Sequence, residues 1–235
     1  MANSFTNLKL SKNNLESFII RNEIFKAVSN VFPLFKGKVL DSGCGSMPYK
    51  ELILSNKAVT EYIGLDISSA LNYDGVKADF LWDGILMPFE NDSFEVVIST
   101  EVLEHVPNPE LYLAEVKRVL KPGGLFFFTV PFLMSLHEVP NDYYRYTPFS
   151  LEIIFKKAGF ESISIKPMGG YNAALAQMIG LWVNKYLWGV KKKIMRIMGK
   201  PIIKYLYSKD IAPPNFNKST MIVGLTGTLV KPLSQ

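Results

Sequence analysis

The sequence predicts an α/β fold with a doubly wound parallel sheet, and three observations carry that prediction. Its strand-length apolar runs are nearly continuous rather than alternating, as strands covered on both faces must be. Stretches of helical spacing separate these runs, and alternating strands and helices build parallel sheets with right-handed crossovers. Finally, the chain has 235 residues, 48% of them apolar and 20% charged, enough to bury roughly 70% of its unfolded surface.

Taken in order, the elements begin with a helix over 14–35, where Leu15, Phe18, Ile19, Phe25, Val28, Val31 and Phe32 fall close to helical spacing. Residues 38–40 open a first strand into Asp41-Ser42-Gly43-Cys44-Gly45. Further strands are expected at 62–65, 76–78, 95–98 and 125–130, with the clearest helices over 109–120 and 148–158. A last apolar run, 221–230, is expected to pair with 162–165, which leaves 171–218 as an insertion before the final strand. The expected organisation is one domain over 1–235: a helical segment to 36, a ligand-binding core over 37–168, the insert over 171–218, and a final strand within 219–235.

The net charge is +5, from 26 basic and 21 acidic residues, and its distribution matters more than its sum. Between Tyr171 and Ser219 nine basic residues stand against Asp210 alone, so that segment carries +8 and the remainder −3. A body that is not basic gives no reason to expect a nucleic-acid partner. Cys44 is the one cysteine, so no internal disulfide forms and nothing points to an oxidising compartment. The start, MANSFTNLKLSK, lacks the basic opening and apolar run of a secretory signal, so a cytoplasmic location is expected.

Ligands of open α/β sheets sit beyond the carboxyl ends of the strands, and three features are expected there. After the first strand comes Asp41-x-Gly43-x-Gly45, where small residues let the backbone approach a ligand. After the second comes Asp66, 21 residues beyond Gly45, placed to accept from ribose hydroxyls. After the third comes Asp79, which could accept from an exocyclic amine. Together they imply a nucleoside-shaped ligand. A dinucleotide fingerprint would need a third glycine where Pro48 stands. Asp41 would also repel a pyrophosphate, whereas an acid there suits a ligand that carries positive charge.

At these residues the sequence resembles the class I S-adenosylmethionine-dependent methyltransferases. Val39 to Gly45 is similar to the family's first motif and Tyr62 to Asp66 to its second. Met87-Pro88-Phe89-Glu90-Asn91-Asp92-Ser93-Phe94-Glu95-Val96-Val97 resembles a P-F-x-D-x-S-F-D-x-V stretch, and Glu101 to Val106 and Val119 to Gly124 match the next two. The likeness runs from 39 to 124 and more weakly to about 165. It implies a Rossmann-like seven-stranded sheet and S-adenosylmethionine as cofactor. Asp41, Gly43 and Gly45 would approach the methionine part, Asp66 and Ile67 the ribose, Asp79 and Phe80 the adenine, and Thr100 and Glu101 would line the site. Residues 80–86 depart from the family's usual short link.

A second, narrower resemblance covers Pro131-Phe132 and His137-Glu138-Val139-Pro140-Asn141-Asp142-Tyr143-Tyr144-Arg145-Tyr146-Thr147. It is similar to a stretch of methyltransferases encoded among surface-polysaccharide biosynthesis genes, and it implies sugar chemistry.

Methyl transfer to a hydroxyl needs positioning and a base within reach. The chain has two histidines. His137 follows a strand end and is the candidate base. Glu138, Asp142 and Arg145 would bind the acceptor, Arg145 taking an anion, unless His137 and Arg145 only tie a long loop together with the carboxylates. His105 is expected to bond a loop carbonyl, and Cys44 to pack. Neither histidine nor cysteine spacing suggests a metal.

In the insert, helical phasing puts Val183, Tyr186, Leu187, Val190, Ile194, Ile197 and Met198 on one side and Lys185, Lys192 and Arg196 opposite, with a break at Gly199 and Pro201. The expectation is a lid that packs its apolar face on the sheet or a second subunit. The alternative is a basic amphipathic helix, 183–207, lying on the inner face of an anionic membrane.

These readings converge on a methyltransferase acting on an oxygen of a small acceptor, a sugar or nucleotide sugar. The alternatives are a lipid-linked acceptor at the membrane face, a nicotinamide-dependent reductase, and a cofactor-binding subunit without catalysis.

Overall fold

The computed structural model describes residues 5–6, 8–67 and 76–233. Residues 1–4 and 234–235, which the sequence reading assigns to the terminal segments, lie outside the described residues. Seven strands form one sheet: β1 (Gly37–Ser42), β2 (Val59–Ile67), β3 (Phe80–Trp82), β4 (Phe94–Thr100), β5 (Leu120–Pro131), β6 (Glu161–Met168) and β7 (Gly224–Val230). Their order is β3-β2-β1-β4-β5-β7-β6. β1 to β5 run parallel, and β7 lies antiparallel between β5 and β6. The pairing expected between the last run and 162–165 is present, with Ser164 opposite Thr228 and Ile165 opposite Gly227.

The central strands are apolar on both sides because both are covered. Val39, Val96, Ile98 and Phe127 face a layer containing α1 (Phe18–Val31) and α5 (Tyr171–Leu181). Leu40, Val97, Phe126 and Phe128 face α3 (Pro109–Val119) and α4 (Pro148–Lys157). The starts of those two helices are written locally. The Asn108 side chain accepts from the Leu111 N–H ahead of Pro109, and Thr147 and Ser150 form a reciprocal cap ahead of Pro148.

Two expectations are corrected. The third strand is not 76–78 but Phe80–Trp82, which pairs with 65–67 of β2. Trp82 buries its ring near Tyr112, and Phe80 sets its ring edge-on to Phe89, whereas Val76 is exposed and has no such cover. The break expected at Gly199 and Pro201 is also absent. After a π-turn at Trp182–Tyr186, α6 (Gly189–Ser208) continues through both residues. Gly199 lies buried toward Val183, Ile179 and Leu15, so tertiary packing outweighs the hydrogen bond that Pro201 cannot donate.

The insert does not close over the sheet with its predicted apolar stripe. α6 docks through Gly199 and Ile203, while Val190, Ile194, Ile197, Met198, Ile202 and Tyr205 all face solvent. The predicted stripe is therefore split: Val183, in the π-turn, is buried in the core, while Val190, Ile194, Ile197 and Met198 of α6 face outward.

Phe127 is fully buried at the centre of the sheet, its ring edge-on to Phe35. Phe127→Ala should cost about 3–5 kcal/mol of stability, read as a lower midpoint in urea unfolding with an unchanged slope.

Candidate active site

The carboxyl ends of β1, β2 and β4 meet at the glycine loop. Gly43 has φ +76°, and a Cβ there would lie 2.4 Å from a Val102 methyl, so only glycine fits. The Gly43 and Cys44 amides both donate to the Leu65 carbonyl, at 2.8 and 3.1 Å, which pins the loop to β2. Gly45 donates its N–H to Asp66 Oδ2 at 3.0 Å, and Ile67 donates to Oδ1 at 2.8 Å. Burial nonetheless pushes the Asp66 carboxyl up from its ordinary value. Below the loop, the Tyr112 hydroxyl bonds Ser42 Oγ at 3.0 Å and Ser99 Oγ at 2.9 Å, locking the ends of β1 and β4 together.

Three acids around this edge lack full compensation. Asp41 is buried; Tyr62 donates its hydroxyl to Oδ2, and Oδ1 has no partner. Burial raises its pKa to about 7. Glu101, straight after β4, takes φ +56°, a left-handed conformation uncommon outside glycine. Its N–H donates to the Thr129 carbonyl at 3.0 Å, its Oε1 has no partner, and burial raises its pKa to about 7. Glu104 is fully buried with both carboxylate oxygens unpartnered; burial, then the charge of Glu101, pushes its pKa well up. Buried carboxylates without donors fit a positively charged ligand. The chemistry of this donor set therefore suits a cationic nucleoside such as S-adenosylmethionine.

The acids expected at a base are redistributed. Asp79 precedes β3 instead of following it, and its Oδ2 accepts from the Gly64 N–H at 2.7 Å. The acid at the carboxyl end of β3 is Asp83, which sequence reasoning missed; the misplaced strand hid it. The Ile85 and Leu86 amides donate to its Oδ1 and hold its pKa down. Phe80 and Ile67 are exposed near this edge, and Thr100 ends β4.

The long loop after β5 is organised by Asp142. Arg145 donates to its Oδ1 at 2.5 Å and its Oδ2 at 2.7 Å, and the His137 N–H donates to Oδ2 at 3.0 Å. The Arg145 pair holds the Asp142 pKa down at about 2. Arg145 also donates to the Tyr144 and Ser135 carbonyls. The acceptor anion expected at Arg145 thus meets a guanidinium already committed within the loop. Glu138 takes φ +51°, and its charge adds to the burial that raises the Asp66 pKa.

His105 bonds a loop carbonyl as expected, Nδ1 to Asn141 O at 2.7 Å, but its Nε2 lies 3.1 Å from His137 Nε2. Burial, then the charge of His105, lowers the His137 pKa. The Tyr143 and Tyr144 rings are exposed in the same loop.

A family model described as a methyltransferase domain matches residues 18–165. The chain is 31% identical over 111 residues to the ubiquinone biosynthesis O-methyltransferase of Pasteurella multocida, covering 39% of this chain and 45% of the relative. It is 33% identical over 103 residues to phthiotriol/phenolphthiotriol dimycocerosates methyltransferase 1 of Mycobacterium ulcerans, covering 39% and 36%. The chain thus spans less than half the length of these curated relatives. Among solved structures, a SAM-dependent methyltransferase from Archaeoglobus fulgidus superposes with a TM-score of 0.56 at 18% identity, covering 89% of this chain and 94% of that one.

The buried acid of β1 sets a pH dependence. With its folded pKa raised to about 7, Asp41 favours the folded state fully below its unfolded value of roughly 3.9. That contribution is lost as pH rises through about 7. In ligand-free protein, Asp41→Asn should therefore gain thermal stability relative to the parent at pH 8 and not at pH 4, as melting curves at the two values will show.

Proposed function

Because the chain belongs to the methyltransferase-domain family, we propose that it moves a methyl group from S-adenosylmethionine to an oxygen of a small acceptor, a sugar or nucleotide sugar. The observation that carries the cofactor assignment is the pair of buried, unpartnered oxygens beside the glycine loop, Asp41 Oδ1 and Glu101 Oε1. They favour a cation and disfavour the pyrophosphate of a nicotinamide dinucleotide, as does Pro48. The P. multocida relative, named as an O-methyltransferase, supports oxygen as the accepting atom. In this reading residues 1–235 act as one domain, with the cofactor held within 37–168.

S-adenosylmethionine supplies a methyl carbon on a sulfonium, already activated for displacement. Gly43 and Gly45 let the backbone close on its methionine part, Asp66 and Ile67 meet the ribose, and Thr100 and Glu101 line the path between. Phe80 offers a ring to the base. Asp83, at the carboxyl end of β3, takes the role expected of Asp79. In-line displacement asks the protein mainly for alignment, and a hydroxyl acceptor must also lose its proton. His137 Nδ1 faces only acceptors, the Ser135 carbonyl at 3.2 Å and Asp142 Oδ2 at 3.3 Å, so it carries the ring hydrogen. Its Nε2 lone pair is then the proton acceptor, oriented by Asp142. Tyr143, Tyr144 and Glu138 surround the place a sugar ring would occupy, while Arg145 and Asp142 keep the loop in shape.

A second reading has its own support. The outward stripe of α6 is flanked by Lys191, Lys193, Lys200 and Lys204, with Trp188 exposed at its start. Apolar side chains rimmed by lysines suit an anionic lipid surface. Two copies docked through this face would instead bring two +8 segments together. Among the described residues no helix is long and apolar enough to cross a membrane, so the contact is peripheral. The acceptor is then lipid-linked and the enzyme works in the cytoplasm at the inner membrane face.

Methyl-labelled S-adenosylmethionine incubated with host extract separates these readings. Label in aqueous metabolites is expected for a sugar or nucleotide sugar, label in lipid favours the second reading, and label in nucleic acid rejects both. Asp66→Ala should weaken S-adenosylhomocysteine binding by roughly tenfold or more, about 1.4 kcal/mol, measured by calorimetry. His137→Ala should leave that binding intact and slow transfer by about 10²–10⁴; full turnover in this variant rejects the base.

A further inference from the structure

The two histidines face each other in a way their own protons do not satisfy. His105 Nδ1 lies 2.7 Å from the Asn141 carbonyl, which can only accept, so Nδ1 carries the hydrogen and Nε2 a lone pair. The same holds for His137, whose Nδ1 faces the Ser135 carbonyl and the Asp142 carboxylate. Two lone pairs thus point at one another across 3.1 Å. Glu104 adds a third donor: its Oε1 is 3.8 Å from His105 Nε2, and neither of its oxygens has a hydrogen-bond partner although the side chain is fully buried. One donor atom from each of these residues lies within 4.8 Å of the other two.

We propose that Glu104, His105 and His137 bind a divalent first-row transition metal of the zinc class, with positions left open for the acceptor's oxygen. Several features favour a metal over a proton shared by the imidazoles. A shared proton would satisfy the nitrogens and place one positive charge 3.8 Å from Glu104 Oε1, but it would leave both carboxylate oxygens without a hydrogen bond. Two imidazoles and a carboxylate are a ligand set of catalytic zinc sites. A metal at about 2.05 Å from both nitrogens, with their 3.1 Å separation, subtends an N–metal–N angle of about 98°, between octahedral and tetrahedral values. The Glu104 oxygen, 3.8 Å from His105 Nε2 and within 4.8 Å of the His137 donor nitrogen, must close to roughly 3.3 Å from each, a movement that no hydrogen bond to the carboxylate opposes. Both Nδ1 atoms are already anchored on carbonyl or carboxylate oxygens, the outer support that metal-binding histidines use. Glu138 Oε2, 4.0 Å from His105 Nε2, stands at the rim.

The role assigned to the metal rests on the O-methyltransferase reading. An acceptor hydroxyl bound to it ionises, releasing its proton to water. The alkoxide oxygen then forms the new O–C bond as the C–S bond breaks, and the electron pair of that bond returns to sulfur, giving S-adenosylhomocysteine. His137 Nε2 serves as a ligand in this state, and the metal replaces it as the means of losing the proton.

Chelator-treated full-length protein titrated with Co²⁺ tests the site directly. One equivalent should bind with visible ligand-field absorption, and Zn²⁺ should displace it. His105→Ala and His137→Ala should each weaken binding at least about 100-fold, and Glu104→Gln should weaken it too, with S-adenosylhomocysteine binding retained as the check on folding. No stoichiometric binding by the parent protein, or equal binding by the variants, overturns the site. Methyl transfer unchanged after chelation overturns the metal's part in the reaction and leaves the methyltransferase reading intact. Metal bound without turnover of any acceptor fraction upholds the site and counts against that reading.

Discussion

Buried negative charge at the carboxyl edge of the sheet is the constraint on which the site depends. Asp41 ends up inside because β1 is central, with Leu40 and Val39 filling opposite faces. Glu101 and Glu104 are drawn in where β4 turns over, the first through the Thr129 carbonyl and the second beneath the backbone of Tyr143 and Tyr144. A buried carboxylate without a donor either takes up a proton or waits for a cation. The upward shifts that burial imposes on Asp41, Glu101 and Glu104 lean toward the first. A sulfonium nucleoside and a divalent metal are two forms of the second. Buried charge that is costly to the fold is thus the feature a cationic ligand would relieve.

Geometry on the acceptor side is fixed by a different device. Asp142 takes both nitrogens of the Arg145 fork and the amide of His137, so one carboxylate sets the shape of most of the loop. Paired guanidinium and carboxylate are worth most when neither is free to wander. Tyr144 stacks on Tyr146, whose hydroxyl donates to the Leu103 carbonyl, tying the loop to the turn that carries Glu104 and His105. The histidines therefore meet across two segments held against each other, which is the pre-organisation a displacement reaction uses.

Much of this was legible in the chain and some of it could not be. Continuous apolar runs gave the strands of the central sheet, and Gly43, Gly45 and Asp66 fell where the loop predicts. The third strand differs because Val76-Lys77-Ala78 sets the expected strand ahead of Asp79, whereas the wholly apolar Phe80-Leu81-Trp82 forms it, covered by the rings of Phe89 and Tyr112. That one slip displaced Asp79 and concealed Asp83. The histidine pair was hidden for a related reason: 32 residues separate His105 from His137, and metal-ligand spacing on one helix or hairpin has no counterpart across two loops. The adjacency of Glu104 and His105 was the only local trace. Arg145 shows the converse, since an arginine three residues after an aspartate can pair locally as readily as it can await an anion.

The insert shows why an amphipathic pattern does not by itself name the buried face. Helical phasing marks one stripe and predicts its burial. Yet α6 meets its neighbours through Gly199 and Ile203, both buried, so the richer stripe of Val190, Ile194, Ile197 and Met198 remains outside. A helix apolar on both sides is ordinary inside a large core, where a second layer covers it. Here nothing in this chain covers the outer stripe among the described residues, and lysines border it along its length. Leaving such area in water is unfavourable, while the lysines make self-association unfavourable too. In the second reading proposed above, an anionic surface would relieve both at once.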